Sequence, residues 1–428
     1  MGIEIRPIVA DELERYMDLC HMAFGGKPEE GEAERITEVI GLDRVHAAFD
    51  DGRMVGTEAA YGLRLTVPGT PTGDATATEP PGRETGRGAE PPGIPTAGLS
   101  RVSVAATHRR RGILTGLIGA HFADAVDRGE ALSALWASEL PIYGRFGYGP
   151  AADLLQVSYD NRKARIRPPD RPVDLAFAEG DEATELLPIL RERDRRRRPG
   201  HFHRSPTWWR LRRFTDHEFQ REGASPRRTV IARRRGEPVG YATYRYAPRW
   251  TDHDLPDGEV RVIEAVGDDL DVRHTLWWYL SNVDLHPNVR FWSLPVDTEL
   301  PWLATDPRAM VRHLTDGLQV RVLDVIAALE GRSWAADGQL VFAVDDASHR
   351  QAGWTYRLTA EAGRAIVERT DDRPELRLHP AALGALYLGS RPATALAVAG
   401  WLEAEPTVRD RTDRLFGWST AAWCDESF

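Results

Sequence analysis

Arg109, Arg110 and Arg111 stand side by side, with Gly112 directly after them, where an alternating apolar stretch (RVSVAAT) gives way to an amphipathic one (ILTGLIGAHFADAV). The apolar period changes there from two to about 3.6, so these four residues occupy a strand-to-helix turn. A helix start already presents unpaired backbone N–H groups and about half a positive charge. Three more cations in that place cost about a few tenths of a kcal/mol each unless something anionic answers them. A pyrophosphate against the first turn would accept those N–H bonds, and Gly112 has no Cβ to obstruct its approach. The plain alternative is a solvated loop: Lys27 and Lys163 are the only lysines among 55 basic residues, so arginine is this chain's default cation.

Other constellations carry less. The turn is neither a Walker loop, which needs Gly-Lys-Ser/Thr, nor a dinucleotide fingerprint, which needs three glycines. No G-x-S-x-G elbow is present. His201 and His203 are two apart with no third ligand near in sequence, and read as surface residues rather than a metal site. The run RERDRRRRPG (191–200) reads as a solvated helix end, where basic side chains are favoured.

The elements that must hold the arginine turn are legible around it. Residues 3–8 read as a strand and 11–24 as a helix with Leu13, Tyr16, Met17, Cys20 and Phe24 on one face. Strands follow near 45–49 and 54–67, then a Pro-, Gly- and Thr-rich stretch over 70–96 that predicts a flexible loop. Strand 99–105, a helix over 111–127 with Leu114, Leu117, Ile118 and Phe122 as its stripe, and the strand ALSALWAS complete a mixed α/β block. After a Pro- and Arg-rich linker at 160–172, RVIEAVGDDLDVRHTLWWYL (261–280) repeats the order of strand, turn and helix, with Asp268, Asp269 and Asp271 in place of the arginines. Such a turn cannot hold an anion. From about 311, strands grouped before helices give an α+β block. The reading is therefore α/β followed by α+β, with blocks at 1–157, 158–310 and 311–428.

Composition bounds the function. A length of 428 residues with 42% apolar and 28% charged residues fits a globular chain of two to four domains. The formal charge of -10 disfavours nucleic acid as a partner. Cys20 and Cys424, the only cysteines, are too few for a disulfide scaffold and lack zinc spacing, which fits a reducing cytoplasm. Neither a signal peptide nor an 18-residue apolar span is read, so no membrane partner is expected. The tail, with Trp418, Trp423 and Phe428, is too aromatic for a disordered end.

VAATHRRRGIL resembles the acyl-coenzyme A pyrophosphate loop of GNAT acetyltransferases, and with WASELPIYGRFGYGPA (136–151) it is similar to the Eis family. AALGALYLGSRPA near the end extends the likeness over essentially the full length. The resemblance implies two tandem GNAT-like domains, the first binding acetyl-CoA and the second degenerate, an SCP2-like third domain, and a homohexamer. It implies an N-acetyltransferase acting on a cationic small-molecule amine, aminoglycoside-like or polyamine-like, or on lysine side chains of proteins. By the same likeness Val102, Ser103 and Val104 offer backbone groups to the pantetheine. Arg109, Arg110, Arg111, Gly112, Ile113, Leu114 and Thr115 cradle the pyrophosphate, while Ser138 and Glu139 flank the cosubstrate. No metal is implied.

Tyr143 matches the family's general acid, and the α-carboxyl of Phe428 its general base. A packed aromatic in a Gly-rich turn is the plain reading of Tyr143, as it is of Phe146 and Tyr148, and a tail anchor that of Phe428. An α-carboxyl near pKa 3.5 needs an apolar setting or a water relay to serve as a base. Four positions depart from the family pattern: Ala106 for Pro, Trp136 for a frequent His, Gly26 for an acidic residue and Ser427 for a penultimate Glu. Fewer carboxylates near the amine would weaken binding of polycations, a loss that Asp425 and Glu426 could offset. A catalytically silent protein binding an apolar ligand in the third domain is the alternative of a different class.

Overall fold

The strands read near the N-terminus pair in sequence order. β1 (Glu4–Pro7), β2 (Val45–Asp50), β3 (Arg53–Leu65) and β4 (Ile94–Val104) form an antiparallel run, and β5 (Leu132–Trp136) joins parallel to β4 through the crossover helix Ile113–Asp127. The computed structural model describes residues 2–27, 29, 31–71, 91–345 and 353–428. Most of the stretch expected as a flexible loop lies outside the described residues, and its last part, from Ile94, already belongs to β4.

The crossover helix buries Ile113, Leu117, Ile118, Phe122 and Ala125 against the sheet, the spacing of one apolar face. The same topology recurs later: Glu259–Gly267 and Asn288–Leu294 pair in parallel across the helix Leu270–Ser281. Two seven-stranded mixed sheets result, followed by a five-stranded sheet built on Gly338–Val344.

Block boundaries drawn along the chain differ from those of the sheets. β6 (Gly149–Pro150) closes the first sheet, but β7 (Asp153–Asp160), split by the boundary at 157, lies wholly in the second. Val311–Asp316 pairs antiparallel with β7, and Leu318–Val322 pairs antiparallel with β5. Two strands assigned to the third block therefore complete the two earlier sheets. Pairing across more than 150 residues leaves no periodic signal, which is why composition could not place them.

One continuous apolar core spans the first and third sheets, with Tyr16, Ala134, Val320, Leu383 and Phe416 all buried in it. The helix Pro380–Tyr387 is buried along its whole length and lies between them. Its backbone passes so close to the first sheet that a Cβ on Gly149 would collide with the Ala381 carbonyl oxygen, and one on Gly384 with that of Val320. Glycine at both positions is what lets the third block seat on the first.

Candidate active site

β4 and β5 stay hydrogen-bonded for only three pairs, Thr96 with Leu132, Ala97 with Ser133 and Gly98 with Ala134, and then part. On its other side, β4 carries a bulge where its register with β3 shifts between Thr57 and Ala59. Arg101, in that bulge, adopts φ of 54°. A non-glycine residue in this left-handed region costs about 1–2 kcal/mol, a strain that recurs where backbone is shaped for function. Its carbonyl is satisfied by the Thr57 hydroxyl at 2.9 Å. Beyond the bulge, the β5-facing edge of Val102 to Val104 has no strand beside it. An extended ligand could pair there.

The arginine turn lies directly after this edge. Arg110 and Gly112 have φ of 62° and 79°, and Gly112 opens the helix Ile113–Asp127 with no side-chain cap. The first-turn N–H groups of Ile113, Leu114 and Thr115 are thus left to the cleft, and a Cβ on Gly112 would meet only open space. The corresponding turn of the second sheet is closed. Asp269 accepts from the Val272 N–H at 3.0 Å and pairs with Arg234, while Asp268 takes Arg193 at 3.1 Å.

The gap between the parted strands is a continuous cleft of three compartments. A groove of about 470 Å³ is lined by Val102, Ser103 and Val104, by Arg109 and Arg110, by Gly112 to Thr115, and by Glu139 and Tyr143. It joins a chamber of about 380 Å³ through Phe24, Val102, Glu139, Ile142 and Tyr143, which line both. That chamber holds Ser138, Trp136 and Phe428, and passes between Arg101 and Arg212 into an outer compartment of about 400 Å³. Of the residues named from sequence for the cosubstrate, Ser138 faces the chamber rather than the groove, and Arg111 turns its side chain to Asp50 at 2.9 Å. Phe24, expected on the buried face of the first helix, is 58% exposed and lines all three compartments.

Tyr143 stands where groove and chamber meet. Its ring packs edge-on to Tyr148 at 5.9 Å, and the Tyr148 hydroxyl is hydrogen-bonded to Ser133 at 2.7 Å, so the aromatic face holding Tyr143 is itself fixed. Burial and the nearby Glu139 charge raise its pKa above that of an ordinary phenol, which keeps the proton on the oxygen at neutral pH.

The Phe428 ring packs against Tyr61 at 5.9 Å and Phe202 at 5.5 Å, and Phe428 lines the chamber. The preceding residues are pinned by groups of the first and second blocks. The Trp136 indole donates to the Glu426 carbonyl at 2.9 Å and Arg212 to the Ser427 carbonyl at 2.7 Å, while the Trp423 N–H donates to Pro199. Trp136 thus serves the tail.

Three expectations about this region are corrected. Glu426 and Asp425 do not face the chamber: Glu426 takes Arg204 and the Trp208 indole, and Asp425 takes Arg191 at 2.6 Å, all of them buried. His201 is buried, not at the surface. Burial and the charges of Arg191, Arg198 and Arg204 hold its pKa well below the usual range, and it stays neutral. RERDRRRRPG is no solvated helix end, because Arg191 and Arg195 are buried, the latter donating to Thr66 at 2.9 Å. The signal was present in that a buried guanidinium demands carboxylates, and DES at the tail supplies two, but arginine abundance masked it.

Comparison with known proteins agrees with this geometry. Residues 4–76 with 92–151, and separately 200–322, match family models described as acetyltransferase (GNAT) domain, and residues 325–425 match one described as sterol carrier protein domain. The chain is 34% identical to an uncharacterised N-acetyltransferase of Streptomyces avermitilis over all of both chains. It is 33% identical to N-acetyltransferase Eis of Mycobacterium tuberculosis over 82% of this chain and 79% of that protein. The crystal structure of Eis1 from Mycobacterium abscessus is similar with a TM-score of 0.80 at 29% identity, covering 99% of this chain and 100% of that one.

Proposed function

The chain belongs to the Eis family of GNAT N-acetyltransferases and is an acyltransferase, and on that premise we propose that it moves the acetyl group of acetyl-CoA to the primary amine of a small molecule. That amine is cationic in solution, as the aminoglycoside-like and polyamine-like acceptors implied by the resemblance are. The observation that carries the reading is the junction at Tyr143. There an open strand edge and an uncapped helix start on one side meet a chamber lined by Phe428 on the other.

The cosubstrate fits what the groove offers. The free edge of Val102 to Val104 suits the amides of the pantetheine, and the N–H groups of Ile113, Leu114 and Thr115 with Arg109 and Arg110 suit its diphosphate. When bound, it supplies a thioester carbonyl. The neutral amine attacks that carbonyl, so a C–N bond forms and the C–S bond breaks. Tyr143 gives its proton to the leaving sulfur as charge develops there. Before the attack the Phe428 carboxyl takes the proton of the ammonium, directly or through water, among the rings of Tyr61 and Phe202, and after it the second proton of the nitrogen passes to the Tyr143 oxygen. Held geometry at the junction supplies the remaining advantage.

Thiol release from acetyl-CoA, followed with a panel of primary amines, tests the reading. Amine-dependent release with saturation is expected. A chain that binds the cosubstrate and releases no thiol with any amine would instead be a silent binding protein.

A further inference from the structure

Arg101 and Arg212 form the neck between the 380 Å³ chamber and the outer compartment, and each lines both. They reach it from distant parts of the chain, Arg101 from the bulge of β4 and Arg212 from the helical turn Trp209–Arg213. Acetyl donor chemistry needs neither, since the groove lies on the opposite side of Tyr143.

At this neck Arg212 makes no ion pair among the described residues. The carboxylates of the outer compartment are already committed. Glu29 takes Arg35 at 3.0 Å, and Glu32 takes Arg101 at 2.7 Å and His21 at 2.6 Å. In direct contact Arg212 meets neutral groups, the Tyr61 hydroxyl at 2.8 Å, the Ser427 carbonyl at 2.7 Å, and the faces of Trp208 and Tyr61 at 4.4 and 5.4 Å, while the Glu426 carboxylate feels its charge from farther off. Two of the five donors of a guanidinium are used in those bonds, and no carboxylate of the described residues lies within 4 Å. Holding Ser427 alone needs only one neutral donor. A cation fixed on two aromatic faces, with donors to spare, is arranged for bidentate recognition of a planar oxyanion.

We propose that the acceptor amine also bears a carboxylate, which Arg212 and Arg101 hold at the neck while the amino group faces Tyr143 and the Phe428 carboxyl. The rings of Phe24, Tyr61 and Trp136, which line the same chamber, suit an apolar or aromatic body between the two ends. The inference rests on the transferase reading given above and narrows its substrate class.

Matched acceptors test it. Phenylalanine is set against phenethylamine, and 4-aminobutanoate against butylamine and 1,4-diaminobutane, with kcat/KM taken from thiol release. The carboxylate-bearing member of at least one pair is expected to be favoured about tenfold or more, the range of a charge-assisted hydrogen bond. In Arg212→Gln that ratio should fall toward one, mainly through KM, and Arg212→Lys should restore part of it. Calorimetry of coenzyme A with each variant reports whether the fold and groove are intact. Turnover of the plain amines with no gain from a carboxylate, a preference for the diamine, or an Arg212→Gln ratio equal to wild type would each overturn the inference and leave the transferase standing. Coenzyme binding with no transfer to any of the five or to an aminoglycoside would remove both, whereas transfer to the aminoglycoside alone would overturn the inference and leave the transferase.

Discussion

Arg204 donates through Nε to Oε2 of Glu426 at 2.5 Å, an ion pair buried between the second sheet and the tail, two residues before Phe428. The same guanidinium takes Glu264 at 2.7 Å, and Glu264 also accepts from the Tyr241 hydroxyl. Burial alone would push the Glu426 carboxyl up, but Arg204, Arg213 and Arg212 outweigh it and hold it below the ordinary range. The tail is therefore fastened by charge from the second sheet while its last ring seats against the first. Although the corresponding turn of the second sheet is acidic and closed, the block that carries it positions the candidate base.

Arg204→Ala leaves Glu264, Asp425 and Glu426 buried without their shared cation. Breaking a buried pair from one side costs about 3–5 kcal/mol, so a large drop in the denaturant midpoint is expected. Turnover should fall further than the folded fraction accounts for, because the tail loses its fastening. Equal loss of both would mean that the network serves stability only.

At the arginine turn the two neighbouring cations should differ. Arg110 lines the groove, whereas Arg111 is engaged with Asp50. Arg110→Glu is expected to weaken coenzyme A binding about tenfold or more by calorimetry, through loss of one charge-assisted bond and added repulsion. Arg111→Glu should weaken it less while lowering stability through repulsion from Asp50. The reverse ranking would place the diphosphate on the other side of the turn.

Tyr143→Phe keeps the ring on Tyr148 and removes only the hydroxyl. Turnover should fall about 10²–10⁴-fold if that oxygen is the proton donor, with coenzyme affinity nearly unchanged. A rate close to wild type would assign the acid elsewhere.

Legibility in the sequence followed locality. The groove was readable because Val102 to Thr115 is one strand, one turn and one helix start, and each leaves a period or a charge pattern in contiguous residues. Tyr143 was placed by a motif, since residue type alone does not separate it from Tyr148. Phe428 was named through the resemblance, but its neighbours on the acceptor side were not readable, because Phe24, Arg101 and Arg212 come together with it only when strands, a bulge and the tail converge. Abundance worked against the reading too: in a chain whose cations are nearly all arginine, nothing in the run 191–200 distinguishes Arg191 beside Asp425 from a solvated neighbour. The exchanged strands Val311–Asp316 and Leu318–Val322 were invisible for a third reason, since alternation marks a strand but not its partner.

A buried pair beneath the first sheet sets a pH window for stability. Burial pulls the His46 pKa down, but its 2.6 Å bond to Glu58 and the charge of that carboxylate outweigh this and raise it above 6.5. Burial pushes Glu58 up, while His121 and His46 outweigh it and bring it below 4.5. The histidine contribution is complete below about 6.5 and lost as pH rises through its folded value. The glutamate contribution is complete above about 4.5 and lost as pH falls through its folded value. Unfolding midpoints should therefore be highest between those limits, and Glu58→Gln should flatten the profile there. An unchanged profile in that variant would assign the pH dependence to other groups.

The last prediction concerns the Phe428 carboxyl. Its ring contacts with Tyr61 and Phe202 do not depend on the charge, so a peptide extension after Phe428 moves the carboxylate and can leave the ring seated. Deleting Phe428 removes both. If the carboxyl accepts the proton of the amine, extension by two glycines should cut turnover about 10²-fold or more at an unfolding midpoint near that of the parent. The defect should shrink as pH rises toward the pKa of the free amine, since the acceptor then arrives already deprotonated. Deletion should lower the midpoint as well, by the about 1.5–3 kcal/mol that burying a large apolar side chain contributes. Full turnover in the extended chain would show that the tail only anchors, and that the amine loses its proton to water or to Glu139, the other carboxylate on the chamber wall.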